Sequence, residues 1–190
     1  MLSWYWGAFF FCVFSCFFKV LNYHTEKGGV SMIIHLPTLR DSVYRPAVLS
    51  LLKLCDEDFI PSLSSSRHKG TKNASLEEKL NHYLQEKEPF HHYLLAFNKH
   101  RVIGMLNFVP TSHQIEVDTI CVHPHFRNQQ VGYAFYAYLM GEICLAFSLT
   151  DIVVPCNDTA AAHAHLLQKL HFTPLEDPTS MPLFHKKIRF

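Results

Sequence analysis

The segment from residue 115 to residue 135 limits the possible folds more than any other part of the sequence. Residues 114–122 have the pattern of a β-strand, and the strand ends at His123 and Pro124. A short polar turn follows. From Val131 to Phe147 the chain contains no proline and is apolar on most faces, which predicts a well-buried helix. The sequence therefore predicts a strand, a turn and a helix in direct succession.

The turn before this helix has the composition of an anion-binding site. The first N–H groups of a helix have no partner within the helix, and the helix dipole favours an anion such as a pyrophosphate at that end. Gly132 would let the backbone approach a ligand closely, and Arg127 adds a fixed positive charge. On these residues alone, a simple structural connection is an equally good interpretation.

The rest of the sequence predicts one domain over residues 32–190, in the order strand, two helices, three strands, helix, strand, helix and two strands. A helix capped by Asp41 is predicted from the spacing of apolar residues between Val48 and Phe59. Ser75 and Glu78 match a capping box that opens a second helix to about Gln85, after a loop or lid at 61–74. The other predicted elements are strands at 32–36, 92–97, 102–109, 152–155, 172–176 and 183–188, and a helix at 159–170.

Two groups of residues carry a resemblance to a known family. The run Arg127-Asn128-Gln129-Gln130-Val131-Gly132-Tyr133-Ala134 resembles the R/Q-x-x-G-x-G/A signature of the GNAT N-acetyltransferase superfamily, with Gln130 where the first glycine is expected. The second group is Ile152-Val153-Val154, Asn157, an alanine-rich helix and Lys169-Leu170-His171-Phe172. It resembles the family's V-x-x-x-N, A and K-L-G-F elements, with His171 in place of the glycine. The order of elements also fits, so the resemblance covers essentially all of residues 32–190.

The resemblance implies an α/β fold with a mixed, mostly antiparallel sheet flanked by helices. One parallel pair of strands, here 114–122 and 152–155, would splay apart and hold acetyl-CoA as the co-substrate. Residues expected to contact the pantetheine are Ile120, Cys121 and Val122. Those expected at the pyrophosphate are Arg127, Asn128, Gln129, Gln130, Val131, Gly132 and Tyr133, and Asn157 would lie near the thioester arm.

The reaction implied by the family is acetyl transfer to a primary amine, which attacks the thioester directly. It needs a neutral amine, a donor for the developing oxyanion and a proton for the thiolate. A backbone N–H near Val122 would be the oxyanion donor. The alternative that we weigh is a non-catalytic sensor of acyl-CoA on the same fold.

Three side chains are candidates for moving protons. Glu116 falls where some family members carry a general base, and Asp118 is expected on the same face of the strand. The alternative for both is a solvated position. The family's tyrosine acid is replaced by Leu167, and His163 lies one turn earlier on that helix. An ordinary surface histidine is the alternative there.

Composition narrows the partners and the compartment. Lys and Arg total 17 against 16 Asp and Glu, a net charge of +1, so we expect no nucleic-acid partner. Six cysteines without a framework spacing favour a reduced, cytoplasmic protein. No paired spacing supports a metal site around Cys121, His123 and His125. The expected partner is a small-molecule or peptide amine, and a homodimer is left open.

Residues 1–31 form an apolar leader that we interpret as a misassigned start. Trp4 to Val20 is almost wholly apolar and close to the shortest membrane span. The codons implied by residues 27–30 can contain a ribosome-binding sequence just before Met32. Translation from Met32 would leave 190 − 31 = 159 residues and no membrane contact. The alternative is a genuine N-terminal membrane anchor.

Overall fold

The described part of the chain forms one sheet with helices on both faces. The computed structural model describes residues 30–55, 78, 90–156, 161–175 and 183–189. The strands are β1 (Met32–Leu36), β2 (His92–Asn98), β3 (Arg101–Pro110), β4 (Gln114–Val122), β5 (Asp151–Pro155), β6 (Thr173–Leu175) and β7 (Leu183–Lys187). The α-helices are α1 (Arg45–Leu54), α2 (Val131–Tyr138), α3 (Cys144–Phe147) and α4 (Ala161–Lys169).

The described strands lie in the order β1-β2-β3-β4-β5-β7-β6. Neighbouring strands are antiparallel, with one exception. β4 and β5 run parallel, with Gln114, Ile115 and Glu116 opposite Asp151, Ile152 and Val153. The predicted fold class, a mixed and mostly antiparallel sheet with helices, is therefore confirmed.

Two separate cores cover the faces of the sheet. α1 packs on one face through Val48, Leu51 and Leu52, against side chains of β1 to β4. The opposite face carries the larger core, which includes buried residues of α2 and α4 such as Phe135 and Leu167. The alternation of side chains along the strands assigns each residue of the sheet to one of these faces.

A β-bulge interrupts that alternation in β4. Asn107 of β3 lies opposite Thr119, whereas the next residue of β3, Phe108, lies opposite Val117. Asp118 is therefore the extra residue of the bulge. Val117 and Ile120 both face the larger core, so the odd-and-even pattern reverses at this point.

Two helix predictions need correction. Asp41 does not cap α1, because the helix begins at Arg45, after Tyr44. The side chain of Ser42 accepts from the N–H of Tyr44 at 3.2 Å. The carbonyl of Ser42 accepts from the N–H of Arg45 at 3.1 Å. The long predicted helix after Val131 is not uniform. A π-helical turn, Leu139–Ile143, separates α2 from α3, and each π turn accommodates an extra residue.

Several predictions lie outside the described residues. They are the 61–74 loop, Asn157 and most of the second helix, of which Glu78 is described and is helical. Residues 1–29 of the predicted leader are also outside. Val30 and Ser31 are described: Val30 is buried in the larger core, and the N–H of Ser31 donates to the carbonyl of Phe97 at 2.7 Å.

Of the helices that the structure describes, none has the length and apolar character to span a membrane.

Candidate active site

The main opening in the sheet lies between β4 and β5. The two strands pair only as far as Glu116 and Val153, although β4 continues to Val122. The N–H of His123 donates to Ile103 of β3 at 2.8 Å. Because successive residues of a strand direct their backbone groups to opposite sides, Ile120 and Val122 direct theirs away from β3, toward the opening. This is the edge at which a pantetheine arm could pair.

The turn after β4 adopts two left-handed backbone conformations. Asn128 and Gln130 both have φ of 62°, and Gln130 precedes the first residue of α2, Val131. The side chain of Gln129 donates to the carbonyl of His125 at 2.9 Å and so holds the turn closed. The N–H groups at the start of α2 face this turn, as an anion site requires. Tyr133, in the first turn of α2, is 49% exposed.

Gly132 also packs against α4. A Cβ at Gly132 would lie 2.8 Å from Cδ2 of Leu166 on α4. The missing side chain therefore lets α2 and α4 approach each other. Close approach of a ligand is not needed to explain this glycine, because helix packing already uses the space.

The basic residues around the turn are tied to the end of β4. Arg127 is exposed, and its Nε donates to the carbonyl of Val122 in a long contact of 3.4 Å. His123 is buried, and Arg101 of β3 donates to its Nε2 at 2.7 Å. The pKa of His123 is lowered by burial and by the nearby charge of Arg101. A neutral His123 therefore anchors the start of the turn.

The two carboxylates of β4 do not occupy equivalent positions. Glu116 is exposed at the last residue paired with β5, and Gln114 donates to its Oε1 at 2.9 Å. Asp118 is half-buried at the bulge and accepts from the hydroxyl of Thr119 at 3.1 Å. The bulge lies between Val117 and Thr119, so strand spacing alone does not relate the two side chains, and their common face stays a prediction.

His163 is hydrogen-bonded inside the protein. Its Nε2 lies 2.8 Å from the hydroxyl of Tyr136, which is fully buried on α2. Burial raises the pKa of Tyr136 well above 10 and lowers that of His163 to about 4. The hydroxyl therefore donates to a neutral imidazole, which carries its own proton on Nδ1. Leu167, at the position of the expected tyrosine acid, is fully buried in the larger core.

Cys121 is not brought to the opening. Its backbone groups point toward β3, and its fully buried side chain packs in the core under α1. The described cysteines Cys55, Cys121, Cys144 and Cys156 are free thiols. Within the described ranges, no group of three or more His, Cys, Asp or Glu side chains is arranged to hold a metal ion.

Comparison with known proteins identifies the family. The model of the acetyltransferase (GNAT) family matches residues 53–172, which is more than half of the 190 residues. The chain belongs to the GNAT family of acetyltransferases. No curated protein sequence matches this GNAT protein.

Solved GNAT structures share the fold at low sequence identity. An acetyltransferase from Thermus thermophilus is 13% identical with a TM-score of 0.61, over 82% of this chain and 97% of that one. The PaiA N-acetyltransferase from Thermoplasma acidophilum, in complex with coenzyme A, is 13% identical with a TM-score of 0.59, over 82% and 98%. The ribosomal-protein-S18-alanine N-acetyltransferase from Escherichia coli is 11% identical with a TM-score of 0.58, over 84% and 96%.

Both departures from the GNAT glycines lie in left-handed backbone. Gln130 replaces the first glycine of the signature at φ 62°, and His171 replaces the glycine after α4 at φ 60°. At His171 the helix ends with the N–H of Phe172 bonded to the carbonyl of Leu167 at 3.0 Å, the arrangement that favours glycine. The family's choice of residue is thus explained by backbone conformation at both sites.

Gln130→Gly and His171→Gly should each stabilise the protein by roughly 0.5–1 kcal/mol. Glycine removes about 1–2 kcal/mol of left-handed strain, and its greater freedom in the unfolded chain returns part of that gain. Urea unfolding of the two variants measures the change. Gln129→Gly, next to Gln130, is the control and should destabilise the turn. If Gln130→Gly also lowers stability, the left-handed conformation at Gln130 is wrong.

Sequence reasoning missed two residues of β3, the strand that pairs with β4. Gly104 of β3 lets α2 pack onto the sheet, since a Cβ there would lie 2.9 Å from Phe135 and 3.2 Å from the carbonyl of Cys121. Asn107 is a fully buried polar residue in the middle of β3. The apolar run around Asn107 was a signal, because a lone amide between Leu106 and Phe108 has to be hydrogen-bonded somewhere.

Proposed function

We propose that this GNAT domain transfers the acetyl group of acetyl-CoA to a primary amine, which attacks the thioester directly. The observation that carries the proposal is the separation of β4 from β5 beyond Glu116, directly before a turn that opens α2. The exposed edge of β4 suits a pantetheine arm, and the turn from Arg127 to Tyr133 suits the pyrophosphate. The family membership supports the same ligand.

The residues of β4 are assigned two roles in the reaction, removal of the ammonium proton and stabilisation of the oxyanion. An ammonium must lose a proton before its nitrogen can attack, and Glu116 stands beside the opening as the general base, with Asp118 as the second carboxylate. The N–H of Val122 is directed toward the opening and would donate to the oxyanion. Gln114 orients the Glu116 carboxylate through the hydrogen bond to Oε1.

The proton for the departing thiolate has a less direct source. His163 remains the candidate acid through its Nδ1–H, since its Nε2 accepts from Tyr136. If Nδ1 gave up its proton and Nε2 took the one of Tyr136, a buried tyrosinate would be left, and the raised pKa of Tyr136 opposes that. His163 can therefore act as the acid only when Nε2 gains a proton from solvent as Nδ1 gives one to the thiolate, so that the ring ends neutral and Tyr136 keeps its proton.

The test of the proposed function is thiol release from acetyl-CoA in the presence of a panel of amines. The panel should include alkylamines, amino-acid amides and short peptides. The proposal predicts amine-dependent release of free thiol together with an acetylated amine in the mass spectrum. Tight binding of acetyl-CoA without release for any amine would overturn it.

A second function, acyl-CoA sensing without catalysis, has specific support. Leu167 occupies the position of the family's tyrosine acid, and its side chain lies in the larger core. His163 is neutral at pH 7 because its pKa is lowered to about 4. A sensor would bind acetyl-CoA with the same residues and would leave the thioester intact in the assay above.

Arg127→Ala should weaken the binding of acetyl-CoA by about 10-fold, because one charge-assisted contact with a phosphate is lost. Titration calorimetry measures the change. Arg189→Ala, which removes an exposed charge beyond β7, is the matched control and should not alter the affinity. An unchanged affinity in Arg127→Ala would move the pyrophosphate away from this turn. Gly132→Val is a poorer test, since Leu166 of α4 would be displaced as well.

A further inference from the structure

Asn107 presents a buried hydrogen-bond donor with no acceptor among the described residues. The residue is fully buried on β3, and its Oδ1 lies 2.7 Å from Nδ1 of His91, which donates to it. Within the part of the chain that the structure describes, its Nδ2 has no hydrogen-bond partner. A buried amide donor left in this state costs about 1–3 kcal/mol, which an apolar residue of similar size would avoid. The bond from His91 fixes the side chain so that Nδ2 keeps a defined direction.

Asn107 lies on the face of the sheet that carries α1, beside the bulge. It is directly opposite Tyr93 on β2 and Thr119 on β4, and Tyr93 belongs to the core under α1. The hydroxyl of Thr119 in turn donates to the carboxylate of Asp118. Side chains directly opposite each other in adjacent strands have Cβ atoms about 5 Å apart. The amide of Asn107 is therefore close to the carboxylate at the bulge.

Exposure increases from Asn107 toward Glu116, the last residue of β4 that pairs with β5. Asn107 is fully buried, Thr119 and Asp118 are half-buried, and Glu116 is exposed. A small molecule approaching along this face would meet the two carboxylates first and the amide last. Its amine would then lie over β4, next to the opening between β4 and β5, and its other end would point toward β3.

We propose that Asn107 is a specificity-determining residue, whose Nδ2 donates to a carbonyl oxygen of the acceptor. This carbonyl group is attached to the carbon atom that carries the acceptor's amine. The proposal rests on the proposed acetyl transfer. The amine and the oxygen must be close, because the carboxylates of Glu116 and Asp118 lie within about two residues of Asn107 in the register of the adjacent strands. A carbonyl suits the position better than a hydroxyl, since a hydroxyl would bring a second donor into a buried site. The acceptor class is thus an α-amino carbonyl compound, such as an amino-acid amide or a peptide N-terminus.

The test compares glycinamide with isobutylamine, which has a similar shape but no carbonyl. Wild type should acetylate glycinamide with a kcat/KM about 10²-fold higher, the discrimination that one satisfied buried donor provides. Asn107→Leu and Asn107→Asp should bring the ratio close to one by losing activity on glycinamide alone. Asn98→Asp, at the end of β2, is the control and should keep the wild-type ratio.

Each result decides between Asn107 as a specificity residue and Asn107 as a structural one. Equal rates on both amines in wild type, or an unchanged ratio in the two variants, overturns the proposal. A higher melting temperature of Asn107→Leu with an unchanged ratio means that the amide only holds a buried water. If no amine releases thiol, the proposed acetyl transfer is wrong. The role of Asn107 is then tested by calorimetry of glycinamide binding to the CoA-bound protein. Binding to wild type that is lost in Asn107→Leu supports the role of Asn107, and no binding to wild type overturns it.

Discussion

Lowering the pH from 7 to 5 should reduce the free energy of unfolding by at least about 4 kcal/mol, to which His35 and His163 contribute about 2 kcal/mol each. Burial lowers the pKa of each imidazole from 6.5 to about 4, and for His35 the neighbouring His92 adds to the effect. A loss of this size is a large part of the 5–15 kcal/mol that typically holds a domain folded. Urea unfolding between pH 7.5 and pH 4.5 measures it.

The contacts of these two histidines explain why their neutral forms are favoured. His35 of β1 lies with its Nε2 2.9 Å from Nδ1 of His92, and the two rings stack at 5.1 Å. Phe108 and Phe147 pack around the pair. His163 accepts from Tyr136 on the other side of the same core. A positive charge at either site would be placed among aromatic rings, where it is poorly solvated.

The sign of the pH dependence follows from the lowered pKa values. Between pH 6.5 and pH 4 the unfolded chain binds protons at these positions and the folded protein does not, so stability falls as the pH falls. Asp151 has a lowered pKa because Thr150 and His185 donate to it. Its contribution is lost only below its ordinary value of 3.8, outside this window.

Matched variants separate the two histidines from general acid effects. His35→Gln and His163→Gln remove the titrating rings and keep a hydrogen-bonding group, so each should reduce the loss between pH 7 and pH 5 by about 2 kcal/mol. His113→Gln replaces an exposed histidine in the turn before β4 and should leave the slope unchanged. A double variant with the same slope as wild type would contradict the assignment.

Glu116→Gln should lower kcat by roughly 10²-fold or more at pH 7 and leave the affinity for acetyl-CoA nearly unchanged. The physical reason is that an alkylammonium cannot attack the thioester until it loses a proton. Glu116 is exposed and lies where β4 and β5 separate, the place at which the acceptor amine is proposed to bind. Asp118→Asn should cost less activity, since Asp118 is half-buried whereas Glu116 is exposed.

The pH dependence of the rate gives the base assignment a second, independent test. The loss in Glu116→Gln should shrink as the pH rises toward the pKa of the amine, because the free base then forms without help from the enzyme. Asp41→Asn removes an exposed carboxylate before α1 and should leave the profile unchanged. If Glu116→Gln keeps wild-type activity at every pH, Glu116 is only a solvated strand residue.

Much of the architecture was predictable because it depends on local patterns. The bounds of β1 and β4 agree with the predicted strands at 32–36 and 114–122, since alternation and the following turn define them. The parallel pair of β4 and β5 followed from the resemblance to the GNAT family. Asp41 shows the limit of local patterns. Whether a side chain reaches the helix N-terminus depends on the path of the chain, and here that path puts Ser42 there.

The sequence by itself determined the fold class, the family and the turn from Arg127 to Tyr133, because alternation, turn residues and the signature spacing are local properties of the chain. Only the tertiary structure revealed the bulge at Asp118, the contact of Gly132 with Leu166 and the bond between His163 and Tyr136. Each of these joins residues of different elements, and no pattern within one element records its partner. Asn107 belongs to the same group: its amide became informative once Tyr93, His91 and Thr119 were seen around it.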